Sequence, residues 1–383
     1  MLTRISIKLF RAMMDLDLEL SPTQLLIGSN GAGKTSVFDV LAGIRELVVE
    51  GEKCEDVFPI NSLPRWLRNP DEPSTLTQEF AIEAPHDDGI LRYSLRIAHD
   101  ERIARSKIAR EELTLDGRML FQFWEGKVQL HRDDHSKGPT YSFDWNRSAM
   151  GTILPDPSNR RLTWFKEQIR GIHCLRIDAP RMGARSERES PSPSRDLSNF
   201  ASWHRRAVSA DAASASDYLQ ELKQVVSGLE SLDQHELGQG FTLLRAAFRK
   251  SKEFRSSGRG KAARTFWLDF DELSEGQRSL CGLYAILHFL ADENTTVCID
   301  EPDNFVALPE IQPWLFGLQD RVDSHGAQVL LSSHHPELLG LLAKDCGTIL
   351  ERNDSGPVTA RPWMTDGSDL PPAEQIARGQ ERE

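Results

Sequence analysis

Gly28-Ser29-Asn30-Gly31-Ala32-Gly33-Lys34-Thr35 decides the reading of this chain. Its spacing, G-x-x-x-x-G-K-[ST], is that of a loop that wraps phosphate in backbone N–H groups. Before it, Gln24–Ile27 reads as a short buried strand. After it, Val37, Val40, Leu41, Ile44, Leu47 and Val48 recur near helical spacing between Lys34 and Val48. A strand, a glycine loop and a helix in that order present a positive helix end to an anion. Gly28, Asn30, Gly31, Ala32, Gly33, Lys34, Thr35 and Ser36 are therefore the candidate polyphosphate-binding residues. Lys34 would reach the β- and γ-phosphates, and Thr35 would ligate Mg2+.

Composition narrows the class. A chain of 383 residues with 39% hydrophobic residues allows two or three domains with ordinary cores. No run approaches the roughly 18 apolar residues of a membrane span. Met1–Lys8 alternates polar and apolar residues, which reads as a strand and not a signal peptide. The five cysteines, Cys54, Cys174, Cys281, Cys298 and Cys346, are scattered, with no C-x-x-C pair. That pattern predicts reduced thiols in a cytoplasmic protein and argues against a structural zinc site. With a net charge of −12, contact with nucleic acid would need a local basic patch.

Residues 2–9 and 15–20 read as a strand pair leading to Gln24–Ile27. Residues 49–76 read as loop, with a short helical turn near Leu63–Leu67. Between 77 and 146, alternating segments separated by Asp87-Asp88-Gly89, Asp116-Gly117 and Glu125-Gly126 predict an antiparallel meander. Arg160–Ile169 reads as a helix and Ile172–Ile177 as a strand. Arg181–Asp196, dense in Ser, Pro, Arg and Glu, reads as a mobile linker. From Asn199 to about Lys252 the pattern reads as helical, with Tyr218, Leu219, Leu222, Val225 and Val226 on one face and Leu243, Leu244, Ala247 and Phe248 on another. Phe266–Phe270, Val297–Ile299 and Gln328–Leu331 read as strands alternating with helices, which implies a parallel sheet covered on both faces. Residues 354–383 read as a polar tail.

Three later stretches carry chemistry. Leu273-Ser274-Glu275-Gly276-Gln277 opens an apolar-faced helix. Ser274 with Gln277 three residues on is a capping box. The same residues can instead meet a γ-phosphate at the helix start, with Gly276 allowing close approach. Thr295–Pro302 is an apolar strand ending in Asp300 and Glu301. Neighbouring strand side chains point oppositely, so Asp300 can hold Mg2+ while Glu301 polarises water. Val329–Pro336 is a second buried strand ending in polar groups, with His334 placed to bond the γ-phosphate or the attacking water.

Loop, serine-glycine helix start, acidic strand end and histidine, in this order, resemble the ABC-type ATPase heads of the SMC, RecF and OLD-like group. The resemblance covers about 1–50 and 266–350. It implies an α/β P-loop NTPase of the ABC-head type, with a mixed or parallel central sheet, an antiparallel β subdomain and an inserted helical arm. It makes Glu301 and His334 catalytic, Ser274, Gly276 and Gln277 the signature, and Thr35 and Asp300 the metal ligands. Arg11, in Leu9-Phe10-Arg11-Ala12, is similar to the group's phosphate-approaching arginine, and Gln78 stands in for a metal-binding Q-loop glutamine. Glu275 departs from the usual glycine of a transporter signature, and Asp303–Ala307 lacks the usual D-loop ending. The expected domains are 1–180 (first ATPase lobe), 181–264 (helical arm with flexible linkers), 265–353 (second lobe) and 354–383 (tail).

The family implies an Mg2+-dependent ATPase whose two copies pack head to tail around ATP. The arm is too short for a long coiled coil, and the reading expects no C-terminal nuclease domain. A separately encoded effector such as a nuclease, as in bacterial anti-phage systems, is then the expected partner. Arg245, Arg249, Lys250, Lys252, Arg255, Arg259, Lys261 and Arg264, against the single acid Glu253, make the Arg245–Arg264 segment a candidate DNA or RNA contact, extended by His204-Arg205-Arg206. A RecF-like repair ATPase that binds DNA itself is the alternative. A transporter's ATP-binding subunit fits less well, because the loop and signature lie too far apart, and no membrane partner is expected.

Overall fold

A computed structural model describes residues 1–68, 74–238, 240–250, 265–352 and 356–363. The chain opens with β1 (Arg4–Phe10), β2 (Met13–Glu19), β3 (Thr23–Ile27), α1 (Lys34–Arg45) and α2 (Cys54–Val57). Next come β4 (Thr75–His86), β5 (Gly89–Asp100), β6 (Arg105–Leu115), β7 (Arg118–Trp124), β8 (Lys127–His131) and β9 (Lys137–Ser142), then α3 (Arg160–Arg170), β10 (Ile172–Leu175) and β11 (Arg185–Ser186). The middle holds α4 (Phe200–Ala210), α5 (Ala212–Val225), β12 (Leu229–Gly238), β13 (Phe241–Arg249) and β14 (Thr265–Asp269). The last part is α6 (Glu275–Phe289), β15 (Thr296–Asp300), α7 (Leu308–His325), β16 (Gln328–Ser332), α8 (Pro336–Cys346), β17 (Gly347–Arg352) and β18 (Val358–Pro362).

These elements divide into two compact units. One comprises Met1–Cys174, Asn294–Cys298 and the chain from Gly326 on; the other comprises Leu175–Glu293 and Ile299–His325. The first unit contains the eight-stranded sheet β2-β1-β4-β5-β6-β7-β8-β9, antiparallel throughout. A six-stranded sheet runs in the order β10-β15-β16-β3-β17-β18. There β3 pairs in parallel with both β16 and β17, while β18 is antiparallel to β17. This is the mixed α/β architecture that the alternation of elements predicts. β3 is buried as a continuous apolar run, Leu25, Leu26 and Ile27, because it has strands on both sides and both its faces are covered. The apolar stripe of α1, Val37, Val40, Leu41 and Ile44, shares one core with Ile5, Ile7, Leu26, Phe80, Ile82 and Leu330. Each such side chain contributes about 1.5–3 kcal/mol by leaving water.

In the second unit, α6 is buried from Arg278 to His288, as a helix apolar on all sides must be. Phe200 stacks on Phe270 at 5.0 Å, and the Trp314 Nε1–H donates to the Leu283 carbonyl at 2.8 Å. β13 pairs with β12, β11 and β14 in a separate four-stranded sheet.

The inserted arm departs from its helical expectation. Among its described residues α4 and α5 are the α-helices, and Leu243, Leu244, Ala247 and Phe248 lie on β13. Leu244, Ala246 and Phe248 alternate into the interior at a period of two, and the β12–β13 pairing runs up to Gly238 opposite Phe241. Arg181–Asp196 is not a free linker either. Asn199 Nδ2 donates to Ser190 Oγ and to the Ser192 carbonyl, both at 3.0 Å, Asn199 Oδ1 accepts from Ser194 N at 2.7 Å, and Arg181 pairs with Asp196 at 2.6 Å. The serines that suggested mobility are the groups that tie the loop. Within the expected tail, β18 is a strand; 364–383 lies outside the described residues.

Three imidazoles are neutralised by the fold. Burial pushes His99, His173 and His204 down to about 4, with Arg45 adding to the effect at His173. The unfolded chain therefore binds more protons than the native one between about pH 6.5 and pH 4, and stability falls as pH falls through that window. His204 is the sharpest case. Its ring lies 5.5 Å from Phe200 and 5.6 Å from Tyr218, and neither ring nitrogen has a hydrogen-bond partner. His204→Phe is expected to raise the melting temperature more at pH 5 than at pH 7.5, as read by scanning calorimetry. An equal rise at both would contradict a neutral buried imidazole.

Candidate functional site

The glycine loop leaves β3 and ends at Gly33, which caps α1 at φ 102°, in the left-handed region that L side chains avoid. A Cβ there would also meet Met13 Cε at 3.1 Å and Val358 Cγ2 at 3.3 Å. The Gly33 carbonyl accepts from Ser36 N at 2.9 Å and Val37 N at 3.2 Å, which starts the helix. No side chain caps α1 and no acid occupies its first turn, so the positive end of the helix is not neutralised locally. Lys34 is only 6% exposed, and its Nζ donates to the Gly28 carbonyl at 2.6 Å. The ammonium is thus held beneath the loop, while Ser29, Asn30 and Gly31 form its exposed tip and Thr35 is partly buried.

Arg11 joins this group. Its Nη1 donates to Ser36 Oγ at 3.1 Å and pairs with Asp39. Asp39 was not singled out from sequence. The signal was present: it is the one acid in α1, three residues after Ser36 and so on the same helix face. On the other side of β3, Ser332 of β16 is in register with Leu26, Ser333 N donates to the Leu26 carbonyl at 3.4 Å, and Ser333 Oγ accepts from His335 N at 2.9 Å. His334 is exposed at the end of this strand, next to the strand that enters the loop.

Gln78 is not placed to bind metal. It is fully buried on β4, where its Nε2 donates to the Leu9 carbonyl at 2.9 Å and to Ser62 Oγ at 3.1 Å, and its Oε1 meets His99 Nε2 at 2.9 Å. A fully buried carboxamide with both ends engaged in the interior does not face a solvent-accessible phosphate or its cation, so Gln78 does not serve as the expected Q-loop glutamine.

The second unit holds the other candidates. Ser274 caps α6 in a complete capping box: Ser274 Oγ accepts from Gln277 N at 3.2 Å and Gln277 Oε1 accepts from Ser274 N at 3.1 Å. Gly276 has a structural requirement of its own, because a Cβ there would lie 2.7 Å from the Phe305 carbonyl. The helix start therefore packs directly on the segment that follows β15. That segment begins with Asp300, 4% exposed at the strand end, and Glu301. Glu301 adopts φ 52°, and its Oε2 accepts from Asn304 Nδ2 at 3.1 Å. A glutamate held in the left-handed region costs about 1–3 kcal/mol, a strain typical of functional positions.

Two of the cations of the basic segment already face carboxylates. Arg249 pairs with Glu230, and Arg245 lies 3.1 Å from Asp269 and over the Trp267 ring at 5.6 Å. Arg205 and Arg206 sit 3.8 and 3.7 Å from Glu189, and His204 is interior. Lys252, Arg255, Arg259, Lys261 and Arg264 lie outside the described residues. Among the described residues no helix is long and apolar enough to cross a membrane.

The sequence model of a family described as "AAA domain, putative AbiEii toxin, Type IV TA system" matches residues 25–340. No curated protein matches the chain. Solved structures share its fold, two of them SMC heads. One is an SMC head bound to the C-terminal winged-helix domain of ScpA, at 12% identity and a TM-score of 0.51, covering 94% of this chain and 98% of that one. The other is an SMC head with an extended coiled coil bound to the C-terminal domain of ScpA derived from Pyrococcus furiosus, at 10% identity and a TM-score of 0.51, covering 100% of this chain and 98% of that one.

Proposed function

The family match spans well over half of the chain, so the protein belongs to this family of AAA domains, and from that premise we propose that it binds and hydrolyses ATP with Mg2+. The observation that carries the reading is Lys34, a nearly buried ammonium beneath a glycine loop at an uncapped helix start. A positive helix end, backbone N–H groups of a glycine loop and an ammonium side chain at one place are the elements that cradle a polyphosphate, and Gly28–Ser36 brings them together. Arg11 adds a second charge from the side of Ser36.

Thr35 and Asp300 offer the oxygen donors suited to Mg2+, which keeps most of its shell as water and nucleotide phosphate and needs few protein ligands. Bound with ATP, the ion would neutralise charge developing on the transferred phosphoryl group. Glu301 takes the proton of the attacking water, and the strain at its backbone supports a role that fixes its direction. His334 holds the water or the γ-phosphate. Each residue acts by position and charge, which is most of what phosphoryl transfer asks of a protein.

We further propose that two copies close head to tail on ATP, with Ser274, Gly276 and Gln277 of one meeting the nucleotide of the other. Ser274 is exposed at the start of a long helix, which supports that use. The capping box accounts for the same residues without a second copy, and Ser274→Arg separates the two. The variant is expected to bind ATP with unchanged affinity and to stay a single chain in sedimentation with ATP. A variant that still pairs would leave only the cap.

Opening and closing of the pair would switch a separate effector, such as a nuclease. The TA-system description of the family supports a separately encoded partner, and a defence role follows as the working proposal. Direct action on DNA, as in repair ATPases of the RecF type, is the alternative; among the described residues, Arg245 and Arg249 already face carboxylates.

A further inference from the structure

We infer that Gln78, backed by His99, is a positioning residue that sets where Arg11 stands at the start of α1. The inference rests on the ATP-site reading above and adds to it a residue far from the loop in sequence.

A chain of hydrogen bonds with one direction crosses the first unit. Ser62 Oγ donates to the Pro59 carbonyl at 2.7 Å, so it can only accept from Gln78 Nε2, at 3.1 Å. The other Nε2 hydrogen goes to the Leu9 carbonyl at 2.9 Å. Gln78 Oε1 must then accept, and its donor is His99 Nε2 at 2.9 Å. That leaves His99 Nδ1 to accept from Ser106 Oγ at 2.8 Å. Rotating the carboxamide by half a turn would set two oxygens, Gln78 Oε1 and the Leu9 carbonyl, against each other. Gln78 and His99 are fully buried, so no water relieves such a mismatch.

The near end of this chain grips a strained turn. Leu9 and Arg11 both lie in the left-handed region, at φ 57° and 53°. Residues with a Cβ remain there only where the surroundings hold them. Two bonds do so: Gln78 Nε2 on the Leu9 carbonyl, and the Ser62 carbonyl on Arg11 N at 2.6 Å. Gln78 and Ser62 are themselves bonded, so both restraints belong to one network. What the turn delivers is the Arg11 guanidinium, anchored on Ser36 and Asp39 with its side chain 49% exposed. Part of its donor fork therefore faces out beside the phosphate loop.

The network thus explains why a buried polar chain is kept in an apolar sheet: it fixes the direction of one charge. Gln78 touches neither nucleotide nor Mg2+ in this account and acts only through Arg11.

The test is a double-mutant cycle in the full chain, read as affinity for a fluorescent ATP analogue with Mg2+ and, separately, as melting temperature. Arg11→Ala is expected to weaken binding about tenfold, as loss of a charge-assisted bond does. Gln78→Met keeps the length of the side chain without its donors and is expected to cost nearly as much. Adding Gln78→Met to Arg11→Ala is expected to cost nothing further in affinity, although the melting temperature falls again. If the two losses multiply to about a hundredfold, Gln78 acts on the scaffold at large and the inference fails. Full affinity in Arg11→Ala also overturns it. Ser62→Ala removes a smaller part of the network and serves if Gln78→Met does not fold; a loss of about twofold, absent in the Arg11→Ala background, is expected. Failure of the ATP-site reading has a different signature, because Lys34→Ala would then bind the analogue as the wild type does.

Discussion

Lys34→Ala is expected to lower ATP affinity by a hundredfold or more, beyond the range of ordinary titration calorimetry. A charge-assisted bond made away from bulk water is worth about 1.5–3 kcal/mol, and each 1.4 kcal/mol is a factor of ten. Lys34 stands at the upper end of that range, because its Nζ is held 2.6 Å from the Gly28 carbonyl and its side chain is nearly buried. Alanine removes the cation without harming the helix that follows, since it is the residue best suited to a helix interior. The melting temperature of the nucleotide-free protein is therefore expected to move little, which distinguishes a lost ligand from a lost fold. Wild-type affinity in this variant would show that the loop does not hold phosphate.

Glu301→Gln is expected to reduce phosphate release by about a hundredfold to ten-thousandfold, the usual contribution of a general base, while ATP affinity stays near that of the wild type. Glutamine preserves the shape, and its Oε1 can still accept from Asn304 Nδ2, the bond that now holds the carboxylate at 3.1 Å. The left-handed backbone at φ 52° strains glutamate and glutamine alike. What changes is the ability to take a proton. Phosphate release at the wild-type rate would remove Glu301 from the chemistry and leave its strain as a packing feature.

The legible parts of this molecule are those in which local chemistry and local structure coincide. Gly28–Thr35 could be read because glycine, lysine and threonine at fixed spacing have one common use, and because an apolar strand and an amphipathic helix flank them. The β4–β9 meander could be read because Asp-Gly and Glu-Gly turns punctuate alternating residues. The hairpin of β12 and β13 was missed where the pairs Leu243-Leu244 and Ala247-Phe248 imitate helical spacing. The two glycines at the junction of the strands, Gly238 and Gly240, both at positive φ, were the stronger signal. Arg181–Asp196 was misread because a serine-rich loop tied by Asn199 has the composition of a free one; long-range hydrogen bonds leave no trace in composition. Gln78 was misplaced for a related reason. A glutamine in an alternating strand looks available for a ligand, and only its partners, Leu9, Ser62 and His99, show that it is committed elsewhere.

The pairing of two copies around ATP is what the proposed switch depends on, and the mass of Glu301→Gln in solution measures it. Light scattering without nucleotide is expected to give one chain of 43.2 kDa, and with saturating Mg2+ and ATP twice that mass. A variant that has bound ATP, verified by co-eluting nucleotide, and still weighs one chain would contradict the shared site.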